Sequence, residues 1–437
     1  MQPLLLGLLV LVSLTLSAQA AYTLYMMIYT WDQSDVHDQA RAPDQLADPA
    51  LSFTAIVPAR HEEDVIATTL DRIVRSNYPA ELFHVIVVCS ADDVGTIART
   101  QEKIAELAEE SITNAELVIF DDGPINKPHG LNCALRRART DVVSIFDAED
   151  EVHPDIVGIV NTVMVNEGVN VVQSGVQLMN YKSNWYSTFN VLEYFFWFRS
   201  RLHYQARFGS LPLGGNTVFI SRELLNRING WDESNLTEDA EIGLRLSSLG
   251  EPIRVIYDDR YVTKEETPPT LAQFVRQRTR WSQGFMQTLK KGVWKQMPTR
   301  RQRFLAFYTL AFPHVQAMLG IYVPISLATV FFLQAPVGVA MITFLPVLLL
   351  IANFITTVIG LYEFADAHQL KATPGTVVKM AFTWLPYQIV LSYAALRALR
   401  RQLAGQRDWE KTAHVGAHRI GPDAVAEHPA GAEVDGS

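Results

Sequence analysis

Cysteine and surplus positive charge are both scarce in this 437-residue chain. The two cysteines, Cys89 and Cys133, have no partners at a zinc-site spacing, so we expect small buried thiols. The formal net charge is −9, and many of the Lys and Arg residues cluster beside apolar segments. Because nucleic-acid binding requires clustered basic residues that face phosphates, this distribution argues against a nucleic-acid partner.

Charged residues are also absent from Pro3 to Trp31. This apolar run is long enough to cross a hydrocarbon core of about 30 Å. The small residues Ser17–Ala21 resemble a signal-peptide cleavage site, but the run lacks a basic start and continues to Tyr29. We predict an uncleaved transmembrane anchor over residues 1–31, and a cleaved signal peptide is the alternative.

A second apolar region covers residues 304–402 and predicts further transmembrane helices. It is flanked by arginines on both sides, namely Arg300, Arg301 and Arg303 before it and Arg397, Arg400, Arg401 and Arg407 at its end and beyond. The positive-inside rule places both flanks in the cytoplasm. We therefore predict a multi-pass protein of the plasma or inner membrane, with a cytoplasmic middle part and a partly disordered cytoplasmic tail over residues 403–437.

Two cytoplasmic flanks require an even number of crossings in this region. Three apolar stretches are long enough to be candidates, namely Ile321–Leu333, Val337–Leu361 and Met380–Leu399. We favour two crossings, because Met380–Leu399 contains Pro386 and ends in arginines, which suits a flat or re-entrant segment. The preceding segment Phe304–Val315 is expected to be interfacial.

Between residues 48 and 270, short β-branched runs alternate with helical periods. This alternation predicts an α/β domain with a mostly parallel sheet. The predicted strands are Ser52–Val57, His84–Cys89, Glu116–Phe120, Asp141–Phe146 and Val169–Gln173. Ligands of such open sheets bind beyond the carboxyl ends of the strands, so the residues that follow each strand are the candidates for a site.

Acidic residues follow four of these strands and should converge on one edge of the sheet. They are Glu62, the pair Asp92 and Asp93, the pair Asp121 and Asp122, and the acids of Asp147–Asp150. Taken singly, the two aspartate pairs are equally compatible with helix N-caps. Together these acids would repel one another, so we expect a divalent metal ion that carries a diphosphate.

Asp147 and Glu149 are the predicted metal ligands. They occupy alternate positions after a buried strand, so both carboxylates can reach one hard cation. Mg²⁺ or Mn²⁺ there would neutralise a diphosphate leaving group. Downstream, Gly214-Gly215 would allow close approach of the backbone to a sugar or phosphate, although two glycines more often form a turn.

Glu238 and Asp239 precede a predicted helix over Ala240–Leu249. Thr237 is a natural N-cap for that helix, and acids in a first turn interact favourably with the helix dipole. A purely structural cap is therefore one interpretation. A cap does not require two adjacent acids, so both are also candidates for catalysis.

Residues 271–303 are predicted to form interfacial amphipathic helices before the C-terminal apolar region. Gln277, Arg280 and Trp281 are spaced i, i+3 and i+4, which places them on one helical face. The apolar stripe consists of Leu271, Phe274, Val275, Trp281, Phe285, Leu289 and Val293. The alternative is that Trp281 only anchors the helix at the interface and Arg280 contacts lipid phosphate.

Seven motifs, in this order, resemble those of the processive membrane-bound family 2 glycosyltransferases, which include cellulose, hyaluronan, chitin and poly-N-acetylglucosamine synthases. The motifs are Val57-Pro58-Ala59 with Glu62-Glu63, Asp92, Lys127-Pro128 through Leu131-Asn132, Asp147-Ala148-Glu149-Asp150, Gly214-Gly215-Asn216, Thr237-Glu238-Asp239 and Gln277-Arg278-Thr279-Arg280-Trp281. The resemblance extends from about residue 50 to the last apolar segment. It implies a GT-A-like nucleotide-sugar transferase domain over residues 48–270 beside α-helical transmembrane segments.

The resemblance also implies roles for individual residues. The nucleotide sugar would be bound by Pro58, Ala59, Glu62, Asp92, Lys127, Asp147 and Gly215, with Asp92 at the base or ribose and Lys127 at the diphosphate. The metal would be held by Asp147 and Glu149. Asp239, beside Glu238, would be the general base, while Gln277, Arg280 and Trp281 would contact the diphosphate and the acceptor sugar. The chain departs from the family at Glu149, where Asp is usual, and at Arg60-His61, where an aromatic residue and Asn are usual.

The predicted function is inverting transfer of a sugar, expected to be UDP-linked, to a growing polysaccharide at the cytoplasmic membrane face, with coupled export. Transfer of one sugar to a lipid acceptor is the first alternative, because enzymes of both kinds share the Gln-x-x-Arg-Trp motif. A non-catalytic membrane receptor or scaffold is the second. The expected partners are the nucleotide sugar, the polysaccharide or lipid acceptor, membrane lipids, and helper or export proteins.

Overall fold

The computed structural model of the protein describes residues 2–332 and 336–406. A long N-terminal helix, α1 (Gln2–Asp32), leads into an α/β domain, which is followed by four further long helices. The predicted disordered tail lies outside the described residues from position 407 onward.

The α/β domain is built on a seven-stranded sheet in the order β3-β2-β1-β4-β7-β5-β8, beside a two-stranded parallel sheet of β6 and β9. The strands are β1 (Phe53–Pro58), β2 (Phe83–Ser90), β3 (Ala115–Phe120), β4 (Val142–Ile145), β5 (Val171–Ser174), β6 (Val176–Leu178), β7 (Val218–Ser221), β8 (Ile253–Ile256) and β9 (Thr263–Glu265). Strand β7 runs antiparallel to both of its neighbours, and the other pairings are parallel. The predicted mostly parallel sheet is therefore confirmed, with each predicted strand shifted by no more than about two residues, as expected for boundaries of this kind.

Helices cover both faces of the large sheet. They are α2 (Ser34–Ala40), α3 (Ile66–Val74), α4 (Val94–Glu109), α5 (Lys127–Arg137), α6 (Ile156–Glu167), α7 (Ser187–Phe196), α8 (Leu202–Arg207), α9 (Arg222–Arg227) and α10 (Glu238–Ser248). Asp93 caps α4 by accepting a hydrogen bond from the Thr96 amide, so the capping interpretation holds for this aspartate. Thr237 occupies the N-cap position of α10, but its hydroxyl donates to Asn235 instead of capping the helix.

The central strands are buried on both faces, as strands of a covered parallel sheet should be. In β1, Ala55 and Val57 face the core beneath α3 and α6, whereas Ile56 faces the opposite core. That second core continues into the C-terminal helices, because Phe364 and Tyr387 belong to the same buried cluster. Burying one such large side chain contributes roughly 1.5–3 kcal/mol, so this contact fixes the α/β domain against the long helices.

The four C-terminal helices are α11 (Leu271–Lys291), α12 (Arg300–Phe332), α13 (Val337–Ala367) and α14 (Pro374–Leu403). The predicted amphipathic helix forms as α11, and it ends at Gly292, whose φ of +81° suits a glycine. Its buried face is mixed rather than purely apolar: Phe274 lies there with Thr279, Ser282 and Gln283, whereas Leu271 is exposed. The reason is that α11 packs against α12 and α14 rather than against lipid alone.

Within residues 2–332 and 336–406, three helices are long and apolar enough to cross a membrane, namely Leu6–Asp32, Arg300–Ala328 and Val337–Ala367. Phe304–Val315, expected to be a separate interfacial segment, is instead part of the continuous helix α12. Met380–Leu399 lies within α14, which is not among these candidate spans. The number of crossings stays a prediction, as does their orientation.

The domain ends of two long helices, α1 and α13, meet at one cluster of polar contacts. Trp31 at the end of α1 donates through its indole nitrogen to Glu363 of α13 over 3.0 Å. Arg199 of the α/β domain lies 3.7 Å from Glu363 and 3.6 Å from Asp259. These contacts join α1 and α13, near their carboxyl-terminal ends, to the α/β domain.

Gly243 on α10 lies against the segment that leads to Gly214 and Gly215. An added Cβ atom would fall 2.4 Å from the Leu213 nitrogen and 2.7 Å from the Leu211 carbonyl oxygen. We expect Gly243→Ala to lower the free energy of unfolding by about 1–3 kcal/mol, because backbone atoms cannot move aside as a side chain can. The melting temperature of the detergent-solubilised protein measures this effect. Gly338→Ala on α13, where no atom lies within 4 Å, is the matched control and should not lower it.

Candidate active site

A cavity of about 700 Å³ lies at the carboxyl ends of the central strands. Its lining includes the predicted site residues Pro58, Ala59, Glu62, Lys127, Asp147, Glu149, Gly215, Glu238, Asp239, Gln277, Arg280 and Trp281. Ligand sites are commonly cavities of about 300–1,000 Å³, so this one has room for a sizeable ligand. The sheet edge, the start of α10 and helix α11 therefore meet around one space.

Lys127 is the central cation of the site. It begins α5, and its Nζ atom donates to the Asp147 carboxylate and, over 3.0 Å, to the carbonyl oxygen of Gly215. Burial alone would lower the pKa of Lys127, but Asp147 and Glu238 outweigh that effect and raise it above its usual value. The ammonium group is therefore charged, and it ties β4, α5 and the glycine turn together.

Gly215 allows this arrangement because it has no side chain. A Cβ atom at this position would lie 3.1 Å from Asp239 Oδ2 and 3.7 Å from Lys127 Nζ. The preceding turn is held by Gln173 of β5, which accepts a hydrogen bond from the Gly214 amide over 2.8 Å and donates to the Asn216 carbonyl over 3.0 Å. A bulkier residue at position 215 would push the acid and the ammonium group apart.

Asp150 holds the backbone of Asp147 in place through a hydrogen bond. It accepts from the Asp147 amide over 2.8 Å and from the Asn216 side chain over 2.9 and 3.0 Å, and it is fully buried. Burial, followed by the negative charges of Glu265, Asp147 and Glu149, raises the pKa of Asp150 well above its usual value. The acids are thus close enough to repel one another, as the sequence pattern predicts.

Glu238 and Asp239 open α10 and face the cavity. Burial is the main cause that raises the pKa of each carboxyl group, and for Glu238 the value reaches about 7. Lys127 and Arg280 act in the opposite direction on both. Asp239 also accepts a hydrogen bond from the Ala240 amide over 2.7 Å, which holds its carboxylate in place. A carboxylate with a raised pKa is a stronger base than one in water.

Helix α11 brings basic and aromatic groups over these acids. Arg280 donates to the Leu236 carbonyl over 3.3 Å. Trp281 lies beside the Tyr194 ring, with 6.2 Å between the ring centroids, and beneath the Arg278 guanidinium at 4.8 Å. Arg278 is in turn held by Glu193 of α7 at 2.5 Å. An aromatic face next to cations suits a sugar with an attached phosphate.

The residues that follow β1 form another wall of the cavity. Ala59 continues the strand pairing by donating to the Val88 carbonyl over 3.0 Å. His61 has a φ of +51°, an uncommon conformation that its amide stabilises by donating to Asp93 over 2.6 Å. Asp92 is not among the cavity-lining residues and is exposed; it lies 3.3 Å from Arg60, which lines the cavity.

The lining or supporting residues that lay outside the predicted set include Asp150, Gln173, Glu193, Glu265 and Arg278. Asp150 and Arg278 belong to two of the motifs given above, so their positions in those motifs could have identified them as candidates. Glu265 ends a three-residue strand that carries no visible pattern. Gln173 lies in the buried strand β5 and Glu193 in the aromatic-rich helix α7. In each case, a polar residue among apolar ones is the only sequence feature that indicates a role in the site.

The cavity continues between the long helices. Its lining there includes Gln19 and Thr23 of α1, Tyr308, Thr309 and Gln316 of α12, Asn353 and Thr357 of α13, and Gln388 of α14. Some of these groups are bonded to each other: Gln19 donates to Thr23 over 3.0 Å, and Thr23 lies 2.7 Å from the Tyr308 hydroxyl. Polar side chains in apolar helices are costly unless they face a polar interior, so this part of the cavity is suited to a polar ligand.

Comparisons with known proteins show the family of this chain. Residues 49–284, more than half of the chain, match the family described as glycosyltransferase like family 2. The chain belongs to this family. The glycosyltransferase is 24% identical over 381 residues to the probable glycosyltransferase YdaM of Bacillus subtilis, which covers 84% of this chain and 88% of that protein.

Two other relatives have named products. The enzyme is 22% identical over 375 residues to the poly-beta-1,6-N-acetyl-D-glucosamine synthase of Staphylococcus epidermidis, covering 82% of this chain and 86% of that one. It is 28% identical over 238 residues to the beta-monoglucosyldiacylglycerol synthase of a Nostoc species, covering 54% of this chain and 49% of that one.

The fold has a solved counterpart. A mannosyltransferase from Pyrobaculum calidifontis, solved with GDP-Man and Mn²⁺, aligns with a TM-score of 0.54 and 20% identity, covering 91% of this chain and 99% of that one. This likeness confirms the GT-A-like fold predicted from the sequence.

Glu238 gives the site a testable pH dependence. In the folded protein its pKa is about 7, against 4.5 ordinarily, so the folded state binds more protons than the unfolded chain between these values. The contribution of this group to stability therefore falls as pH rises from about 4.5 to about 7. We expect Glu238→Gln to flatten that fall, measured as melting temperature against pH. Glu223→Gln, at an exposed position on α9, should keep the wild-type slope, and an unchanged slope in Glu238→Gln would contradict the assignment.

Proposed function

We propose that this glycosyltransferase moves a sugar from a nucleoside-diphosphate donor, with a UDP-sugar as the expected donor, to a growing polysaccharide, with inversion at the anomeric carbon. The observation that carries the proposal is the single cavity that joins Asp147 and Asp239 to Trp281 and then to the polar faces of the long helices. One connected space of this kind supports the proposal that donor, acceptor and growing product meet in it. The catalytic domain would face the cytoplasm at the plasma or inner membrane.

In the proposed reaction, an acceptor hydroxyl attacks the anomeric carbon of the donor. Asp239 takes the hydroxyl proton while the bond from the anomeric carbon to the diphosphate oxygen breaks, and the electron pair leaves with the diphosphate. The raised pKa of Asp239 and its fixed hydrogen bond to the Ala240 amide support this role. Lys127 and Arg280 would stabilise the negative charge that collects on the leaving group.

Trp281 and Tyr194 would hold the acceptor sugar, since the C–H faces of sugars pack on aromatic rings. Gln277 lies one helical turn before Trp281 and also faces the cavity, where it can hydrogen-bond a sugar hydroxyl or the diphosphate. Pro58, Ala59 and Glu62 would contact the nucleotide. Asp92, outside the cavity lining, would reach it only through Arg60 or by a change of side-chain conformation.

A divalent cation fits the site. Asp147 and Glu149 line the cavity with carboxylate oxygens, the ligands that Mg²⁺ and Mn²⁺ prefer, and Glu265 adds a further acid. The mutual repulsion that raises the pKa of Asp150 is what such a cation would relieve. When bound, Mg²⁺ or Mn²⁺ would neutralise charge on the leaving diphosphate.

Transfer of one sugar to a lipid acceptor is the second candidate. It is favoured by the similarity to a beta-monoglucosyldiacylglycerol synthase, although the chain spans about half the length of that relative. The lining between the helices also contains apolar residues such as Phe312 and Leu391, but its polar side chains favour a polysaccharide acceptor, because a diacylglycerol tail gains nothing from glutamine and asparagine.

Asp239→Asn keeps the size of the side chain and removes the base. We expect release of nucleoside diphosphate, measured with purified protein, Mg²⁺ or Mn²⁺ and a panel of sugar nucleotides, to fall by roughly 10²–10⁴-fold. Asp232→Asn, at an acid seven positions before the base and outside the cavity lining, is the matched control and should keep most of the activity. Undiminished turnover in Asp239→Asn would remove Asp239 as the base, and no turnover with any donor would favour the scaffold alternative.

The helix-lined part of the cavity can be tested through product length. We expect the wild-type enzyme to make a polymer from its labelled donor, and the double variant Gln316→Leu with Asn353→Leu to make shorter chains, because two polar groups are lost from the path. Leu348→Ala, exposed on α13, should leave the length distribution unchanged. If the wild-type product is a lipid that carries a single sugar, the proposal of a polysaccharide acceptor is contradicted and the second candidate is favoured.

A further inference from the structure

Three potential metal ligands meet outside the cavity, near the end of β3. His129 and Cys133 are spaced i and i+4 on α5, and Asp122 follows β3. Their ligand atoms all lie within 4.8 Å of one another. His129 Nε2 is 3.4 Å from Cys133 Sγ and 3.6 Å from Asp122 Oδ1.

The distance between His129 and Asp122 suits a shared cation better than a direct hydrogen bond. A nitrogen–oxygen separation of 3.6 Å is too long for a good N–H···O bond. In a tetrahedral zinc site, bond lengths of about 2.0–2.3 Å place neighbouring ligand atoms about 3.3–3.6 Å apart. We propose that Asp122, His129 and Cys133 form a site for Zn²⁺ or a similar thiophilic divalent cation, with water as the fourth ligand.

The imidazole is already oriented for such a role. Glu233 Oε2 lies 3.0 Å from His129 Nδ1, and the other oxygen of Glu233 accepts from the Asn132 side chain over 2.8 Å. A carboxylate this close to Nδ1 favours the proton on that nitrogen, although the angle does not make a hydrogen bond, and this leaves the lone pair of the other nitrogen for a metal. That other nitrogen, Nε2, is the atom nearest to Cys133 and Asp122.

The Cys133 thiol has one favourable neighbour, although burial raises its pKa, so a bound cation would have to displace the thiol proton. Arg136 donates to Cys133 Sγ over 3.0 Å, and a guanidinium beside a sulfur stabilises the thiolate form that binds metals. His129 and Cys133 are both buried, whereas the side chain of Asp122 is 74% exposed, so the site opens to solvent on one side. Gly123, in the loop after β3, packs directly against the imidazole of His129. Its φ is +71°, and a Cβ atom at this position would lie 2.3 Å from His129 Cε1.

This site differs from the predicted site at Asp147 and Glu149. His129 stands two positions after Lys127, about 200° around the helix, and the three ligands are not among the residues that line the cavity. Thiolate and imidazole ligands select zinc-like metals, whereas carboxylates alone select Mg²⁺ or Mn²⁺. A bound cation would join the loop after β3 to α5 and, through Glu233, to the segment that leads into α10.

Cobalt titration of the full-length, metal-stripped protein in detergent tests the proposal. We expect a sulfur-to-cobalt charge-transfer band that saturates at one Co²⁺ per chain and disappears when Zn²⁺ is added. A site made only of carboxylates has no sulfur and gives no such band, so the acids of the cavity do not interfere. Cys133→Ser should abolish the band, and Cys89→Ser should keep it.

Asp122→Asn is a milder variant, because its side chain is exposed on a loop and the fold does not depend on it. We expect it to weaken Co²⁺ binding by about tenfold or more, and Glu233→Gln to weaken it by about 10–100-fold. A wild-type protein without the band, or a band that survives in Cys133→Ser, would overturn the proposal. Unchanged affinity in Asp122→Asn would overturn the assignment of that ligand.

Discussion

Lys127 places one buried positive charge among Asp147, Glu238 and Asp239, and the geometry of the site depends on it. Without that charge the acids at the sheet edge and at the start of α10 would repel one another, and a buried charge that loses its partner costs about 3–5 kcal/mol. The same ammonium group bonds the Gly215 carbonyl, so it fixes the glycine turn against the acids. A donor diphosphate would bring negative charge and its cation positive charge. The two together would leave the balance between Lys127 and the surrounding acids largely unchanged.

The long helices are part of the site rather than a separate anchor. One buried core contains residues of the sheet, of α5 and of α13 and α14, so the α/β domain and these helices share side-chain packing. Helix α11 lies between them and supplies Arg280 and Trp281 from one side while it contacts α12 and α14 on the other. This explains why an amphipathic helix with a basic and aromatic motif precedes the longest apolar stretch of the chain.

Much of the site could be predicted because it follows from local patterns. Strands with acids at their carboxyl ends, a glycine pair and a helical i, i+3, i+4 spacing are visible in the sequence, and the cavity unites Asp147, Gly215, Asp239 and Trp281. Asp92 and the buried face of α11 were predicted less well, because exposure and packing partners depend on residues far away in the chain. The contacts of Gln173 and Glu193 are likewise made across elements, as is the approach of Asp122 to His129, and no spacing in the sequence reveals them.

The central claim is that donor, cation and acceptor meet in this one cavity. A structure of the full-length enzyme with Mn²⁺ and a non-hydrolysable sugar nucleotide, solved with anomalous diffraction at the manganese edge, tests it most directly. The account predicts a manganese peak beside Asp147 and Glu149, the diphosphate next to Lys127, and the sugar between Asp239 and Trp281. A nucleotide bound elsewhere, or a sugar separated from Trp281 by protein, would contradict it.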